Sequence, residues 1–278
     1  MILSVVCAYV GFGSVLLGIS KGRVFKRDGM EVDEQRYQDQ DVASLGYWVC
    51  LFGLFVARME IGGSEIMGTK RNIEQYMIIL CTSWYSFDMA VKYFTGLIDS
   101  YLVAHHSFTI FSMMACYTNE NTVSFGATAL MLNDICLLFF VAKRTMERNK
   151  IGAQEKLFQI NFTCLTFTFF MSRVIGNFWL IFKYSLSSGS NPLLVVLNSP
   201  ILSLGVTTSI KLVSKFWKYL PEWASDSKKI EQSMWWTYPR KLFQEYKTNG
   251  SFTETMNRLI YAISAVPVIL SAYNYFVM

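Results

Sequence analysis

Long apolar runs, interrupted by short polar clusters, dominate the chain from end to end. A run of about 20 apolar residues is what a helix needs to cross a bilayer. Eight such runs are predicted, at about 1–20, 41–58, 73–95, 97–117, 122–141, 157–182, 191–214 and 257–277. Only Thr95 and Gly96 mark the turn between the third and fourth. The pattern predicts an all-α, polytopic membrane protein with about eight transmembrane helices.

The charges between the runs supply an independent test. Lys and Arg concentrate in loops on the cytoplasmic-type side of a membrane. Here the odd-numbered loops carry Lys21, Arg23, Lys26, Arg27 and Arg36, then Lys143, Arg144, Arg148, Lys150 and Lys156, then Lys215, Lys218, Lys228, Lys229, Arg240, Lys241 and Lys247. The even-numbered loops hold only Arg58, Lys70, Arg71 and Lys183. The asymmetry agrees with the span count and places both termini on the side opposite the basic loops. The first run lacks a basic region before it and is followed by KGRVFKR, the arrangement of an N-out signal anchor rather than a cleaved signal peptide.

Composition agrees. The chain has 278 residues, of which 53% are hydrophobic and 16% aromatic, and its net charge is +5. The basic residues sit in loops and no nucleic-acid motif is visible, so the charge points to a membrane surface and not to nucleic acid. The six cysteines (Cys7, Cys50, Cys81, Cys116, Cys136 and Cys164) all fall in apolar runs without a CxxC pair, and read as small apolar fillers. No cofactor is expected. Residues 215–256 are long and amphipathic, with Trp217, Trp223, Trp235 and Trp236 among acids and bases. They read as a membrane-interface segment, or as a docking surface for a partner protein or an acidic lipid. Asn249 and Asn161 begin sequons, the first on the cytoplasmic-type side, where no glycan is expected, and the second inside a predicted helix.

The candidate chemistry lies within the runs. Ionisable side chains at membrane depth are costly and mark cavities, pairs or reaction centres. The only histidines, His105 and His106, are adjacent in the fourth span. Asp88 precedes the end of the third span, and Asn133 and Asp134 precede the end of the fifth. At about 1.5 Å per residue all of these lie roughly 10–14 Å in from the basic face. Lys92, one turn from Asp88, is placed to neutralise it. Asp99 shares a face with His106. Arg173 is expected deeper, toward the opposite face, against a lipid phosphate or a helix carbonyl. Such a layer fits an imidazole base with an orienting carboxylate, as acyl transfer requires. It equally fits a buried hydrogen-bond network holding three helices in register. Adjacent side chains on a helix point about 100° apart, so the pair is not expected to hold a metal.

Three segments carry a family resemblance: SWYSFDMAVKYFTGLIDSYLVAHHSFTIF, ALMLNDICLLFFVAKR and FQINFTCLTFTFFMSRVIGNFWLIF. Together they resemble the TLC domain shared by TRAM, Lag1-type ceramide synthases and CLN8. The resemblance implies a six-helix, barrel-like bundle around a lipid-accessible cavity, built here from the second to seventh spans. The implied organisation is an N-terminal anchor and basic loop (1–40), a TLC domain (41–215), an amphipathic loop (216–256) and an additional C-terminal helix (257–278). The enzymes of the family follow the His pair with His-Asp and a second Asp three residues on. His105, His106 and Asp134 match; Asn133 and Leu137 replace the other two. The expected function is therefore a non-catalytic membrane protein that binds or organises lipid, as an accessory or structural subunit of a larger membrane complex. The alternative is an acyl-CoA-dependent sphingolipid N-acyltransferase with His105 or His106 as base, Asp134 as orienting acid, and Lys143 and Arg144 at the CoA phosphates or simply setting topology. Expected partners are membrane lipids, and membrane proteins through residues 216–256 and the extra helices. The resemblance implies the endoplasmic reticulum, with the mitochondrial inner membrane as the alternative.

Overall fold

Helices account for every element of the structure, a computed structural model that describes residues 32–60, 72–94, 96, 100–118, 122–187, 190–223 and 250–277. The predicted span 1–20, Asp99, Trp235 and Trp236 lie outside the described residues. In chain order the helices are α1 (Val32–Glu60), α2 (Asn72–Phe94), α3 (Ser100–Thr118), α4 (Val123–Asp134), α5 (Leu137–Arg148), α6 (Lys156–Phe169), a π-helical stretch (Phe170–Gly176), α7 (Asn177–Ser185), α8 (Pro192–Trp223) and α9 (Gly250–Val277). Four stretches, Gln40–Met59, Val123–Arg148, Lys156–Ser185 and Pro192–Leu220, are long and apolar enough to cross a membrane. Glu74, Asp88 and Lys92 lower the hydropathy of α2, and the His pair lowers that of α3.

Several predicted boundaries move. Helix α1 begins at Val32 rather than at 41, because the polar residues before Asp41 continue the helix beyond its apolar part. Helix α8 continues to Trp223, so Lys215, Trp217 and Lys218 lie on a helix and not in a loop. Helix α9 starts at Gly250, not 257. The predicted helix 122–141 is two helices separated at Ile135–Cys136, and the second runs on to Arg148. The predicted helix 157–182 contains the π-helical stretch around Arg173. At the predicted Thr95–Gly96 turn, Gly96 adopts a φ of 72°. That left-handed conformation is open to glycine at little cost, and the Gly96 amide donates to the Tyr93 carbonyl at 3.2 Å.

Packing follows a closed circuit. Helix α1 packs on α2, α2 on α3, α3 on α8, α8 on α6, α6 on α5, and α5 back on α1. Helix α4 lies inside this wall, packed on α1, α2, α3 and α7. Its residues Phe125, Ala127, Ala129, Leu130, Asn133 and Asp134 are all buried. A helix that is apolar on every side belongs in an interior. Helix α9 packs outside, on α7 and α8, where Asn274 Nδ2 donates to the Ser185 carbonyl at 2.5 Å.

Two ion-pair clusters hold α1 in place. Arg58 and Glu74 are 3% and 1% exposed and meet at 2.8 Å. Ser124 Oγ donates to the second Glu74 oxygen at 2.7 Å, which adds α4 to the pair. Toward the other end of α1, Asp41 receives Arg144 at 2.8 Å and also Arg148, both from α5. Helices α3 and α4 approach closely at Gly126, where an added Cβ would lie 2.8 Å from Cys116 Cβ. Gly126→Ala should destabilise the bundle by about 1–3 kcal/mol, as overpacking does, read as a lower melting temperature in detergent. Gly53, on the exposed side of α1, has nothing within 4 Å. Gly53→Ala should leave the melting temperature unchanged or slightly raised. Equal behaviour of the two variants would contradict the close α3–α4 contact.

Candidate functional site

The interior polar residues meet in one cavity of about 510 Å³ above α4. Its lining includes Asp88, Lys92, His105, His106, Asp134, Arg144, Arg173 and Lys211, with apolar walls from Trp84, Leu102, Leu137, Phe140 and Phe169. Helix spacing explains the convergence from α2: Tyr85, Asp88 and Lys92 follow one another at three and four residues and share a face.

Asp134 occupies the last residue of α4. Tyr47 on α1 donates to Oδ2 at 2.6 Å, and Tyr85 on α2 donates to Oδ1 at 2.6 Å. The Arg173 guanidinium stands 3.9 Å from Oδ1. Each carboxylate oxygen thus has a short hydroxyl donor, and a cation faces the pair. Asp88 makes a second centre. Lys92 Nζ donates to its Oδ2 at 2.6 Å, and His106 Nε2 lies 2.8 Å from the same oxygen. A carboxylate can only accept, so His106 Nε2 carries the proton and Nδ1 keeps its lone pair. That buried Nδ1 has no hydrogen-bond partner. Tyr85 joins the two centres: its ring meets His106 edge-on at 4.6 Å and His105 at 5.8 Å, while its hydroxyl serves Asp134. The His105 ring also lies against Tyr101 at 6.3 Å, and Tyr101 is hydrogen-bonded to Thr208 at 2.8 Å across the α3–α8 seam.

The alternative reading set Asp134 to orient His105 or His106; in the structure His106 lies against Asp88 instead. The two tyrosines already occupy Asp134, whereas Asp88 lies directly across from His106. The expected Asp88–Lys92 pair is present. Arg173, expected deeper, lines the same cavity; its Nε donates to the Asn133 carbonyl at 2.7 Å, so it meets a helix carbonyl. That carbonyl lies at the break between α4 and α5, where backbone acceptors lose their helical partners. The π-helical stretch sets Arg173 in place, and Gly205 lets α8 approach, since a Cβ there would lie 3.0 Å from the Arg173 carbonyl oxygen. Asn133 turns away from the cavity, accepting from Asn177 Nδ2 at 2.9 Å and donating to the Ala129 carbonyl at 2.8 Å. Lys143 pairs with Glu147 at 2.6 Å, so only Arg144 of the two mouth residues reaches the cavity. Tyr47 and Tyr85 went unrecognised in the sequence. The spacing of Tyr85 from Asp88 was a usable signal for one; nothing local marks Tyr47 among the aromatic residues of its run.

The family model of the TLC domain (TRAM, LAG1 and CLN8) matches residues 41–220, well over half of the chain. The chain belongs to the TLC-domain family. No curated protein and no solved structure matches it significantly. The TLC domain covers the whole ring from α1 to most of α8 and every residue that lines the cavity, while α9 lies beyond the match.

Removing one hydroxyl from the Asp134 centre should cost what a hydrogen bond to a charged group contributes. Tyr85→Phe and Tyr47→Phe should each destabilise the protein by about 1.5–3 kcal/mol, measured by denaturant titration in detergent micelles. The double variant Tyr85→Phe/Asp134→Leu should lose less than the sum of its single variants. Strict additivity would show that hydroxyl and carboxylate are not coupled.

Proposed function

We propose that this is a lipid-binding TLC-domain membrane protein without acyltransferase activity, an accessory or structural subunit of a larger membrane assembly. One observation carries the reading: both cavity carboxylates are committed to internal partners. Asp134 accepts from Tyr47 and Tyr85, and Asp88 from His106 and Lys92. A network saturated in this way holds helices together. At the two positions where the family's enzymes place a further His and Asp, Asn133 bonds to Asn177 and Leu137 lines the wall. What remains is a partly open space with apolar sides and a cationic surplus, suited to an amphiphile. Helix α9 supports the subunit role. It lies outside the family match and exposes Leu259, Tyr261, Ile269 and Tyr273, an apolar face for lipid or a neighbouring membrane protein. The family favours the endoplasmic reticulum as compartment, with the mitochondrial inner membrane as the alternative.

A second reading has its own support. His106, oriented through Nε2 by Asp88, offers a free lone pair at Nδ1 inside the cavity. That is the arrangement of a general base. In an acyltransferase His106 Nδ1 would take the proton of a long-chain amine as its nitrogen bonds to the acyl-CoA carbonyl carbon. The C–S bond would then break and the proton pass to the departing CoA thiolate, with Asp88 as the orienting acid.

Purification in mild detergent separates the two. The subunit reading expects a large, stable complex and bound lipid by native mass spectrometry, with no amide formed from acyl-CoA and a sphingoid base. A monodisperse monomer would count against the subunit role. Turnover that His106→Ala abolishes would overturn the non-catalytic reading.

A further inference from the structure

We propose that the cavity selects a single-chain anionic phospholipid of the lysophospholipid class. Its phosphate would sit among Arg144, Lys211 and Arg173, and its free hydroxyl would donate to His106. The inference rests on the lipid-binding reading and names the lipid.

Charge is the first observation. Four cationic side chains line the cavity (Lys92, Arg144, Arg173 and Lys211) against two carboxylates, Asp88 and Asp134. Lys92 is matched by Asp88 at 2.6 Å. Arg173 approaches Asp134 only to 3.9 Å, and both oxygens of that carboxylate already accept from tyrosines. Arg144 shares Asp41 with Arg148. Lys211 is exposed and makes no ion pair among the described residues. Cations outnumber carboxylates in this lining, which favours an anion there.

Unused hydrogen-bonding capacity is the second. Two buried polar atoms of cavity residues lack partners: Arg144 Nε, a donor, and His106 Nδ1, an acceptor. His106 itself is only 5% exposed. Native interiors rarely leave such atoms unsatisfied. A ligand that meets both must offer an acceptor at Arg144 and an O–H or N–H at His106. Arg144 lies one turn from the end of α5 with its side chain 42% exposed, and Lys211, in the second half of α8, is exposed, so both mark the open side of the cavity. His106 lies within α3. The anion is therefore placed at the mouth and the hydroxyl further in.

Size and walls complete the description. A volume of about 510 Å³ falls within the range of small-molecule sites and is tight for a two-chain phospholipid. Trp84, Leu102, Leu137, Phe140 and Phe169 supply apolar contact for one chain.

The test uses the purified full-length protein in detergent and four oleoyl probes: lysophosphatidic acid, lysophosphatidylcholine, oleyl phosphate without the hydroxyl, and oleoyl-CoA. Binding is read by native mass spectrometry and by ligand-induced thermal shift. Lysophosphatidic acid should bind about tenfold or more tightly than lysophosphatidylcholine, and more tightly than oleyl phosphate. Lys211→Gln should weaken lysophosphatidic acid binding several-fold with an unchanged melting temperature of the lipid-free protein. Because Lys211 is exposed, it keeps the test valid if Arg144→Gln, which breaks the Asp41 pair, does not fold. Equal affinity for the anionic and zwitterionic probes, or no effect of Lys211→Gln, would overturn the inference while leaving lipid binding intact. Oleoyl-CoA binding as tightly as lysophosphatidic acid would overturn the lysophospholipid assignment and favour the acyltransferase. Failure of every probe to bind would overturn this inference together with the lipid-binding reading.

Discussion

Holding a carboxylate inside a membrane-spanning bundle costs several kcal/mol unless donors and a countercharge replace the lost water. Asp134 is the residue on which the structure meets that demand. Its two oxygens take hydroxyls from α1 and α2, and Arg173 faces it from the π-helical stretch after α6. Three segments distant in sequence must therefore converge on the end of α4. The break after Asp134 is part of the same arrangement, because the Asn133 carbonyl there accepts from Arg173 Nε. An uninterrupted helix would give that carbonyl a backbone partner instead. Buried charge, helix break and π-helical turn form one mutually dependent unit, and the cavity is the space they leave above α4.

The other polar clusters act on α1, the first helix of the TLC ring. Arg58–Glu74–Ser124 ties it to α2 and α4, and Asp41 ties it to α5. Removing one partner of such a pair strands a charge in an apolar medium, whereas apolar side chains packed against each other tolerate sliding. Between these ties stands Tyr47, stacked on Trp84 with centroids 5.1 Å apart. The ties fix the height of Tyr47 relative to α2 and α4, and so help aim its hydroxyl at Asp134. Apolar packing alone would leave α1 free to shift along its axis.

The sequence made the helical class, the six-helix core and the convergence of Asp88, His106 and Asp134 legible. The helical class and the convergence depend on local signals, namely run length, loop charge and residue depth counted at a fixed rise per residue, whereas the six-helix core was implied by the family resemblance. What the sequence hid depends on tertiary geometry. Arg58 and Lys143 read as loop charge, yet Arg58 is buried against Glu74 while Lys143 pairs along its own helix. The break at Ile135–Cys136 contains neither Gly nor Pro, and the π-helical turn contains only Gly176. Arg173 reaches the cavity from its deeper position because a long side chain on a wide helical turn extends well beyond its own Cα. Counting rise locates short side chains such as Asp and His far better than it locates arginine.

The incomplete match to the family's enzymes has a physical reading of its own. In the sites it resembles, the residue before the first acid is a His, which takes and releases protons. Here that position is Asn133, whose amide bonds to Asn177 and whose carbonyl anchors Arg173. The substitution exchanges a titrating group for a fixed one at the point where the helix breaks. Asp134, the next residue, accepts from a tyrosine hydroxyl on each of its two oxygens. The α4 side of the cavity is held by these hydrogen bonds as well as by its packing. The α3 side differs: His106 is held through one nitrogen and open at the other. A ligand donor at Nδ1 would complete that ring's hydrogen bonding without moving a proton. A cavity built this way can answer an occupant by satisfying a bond at His106 Nδ1.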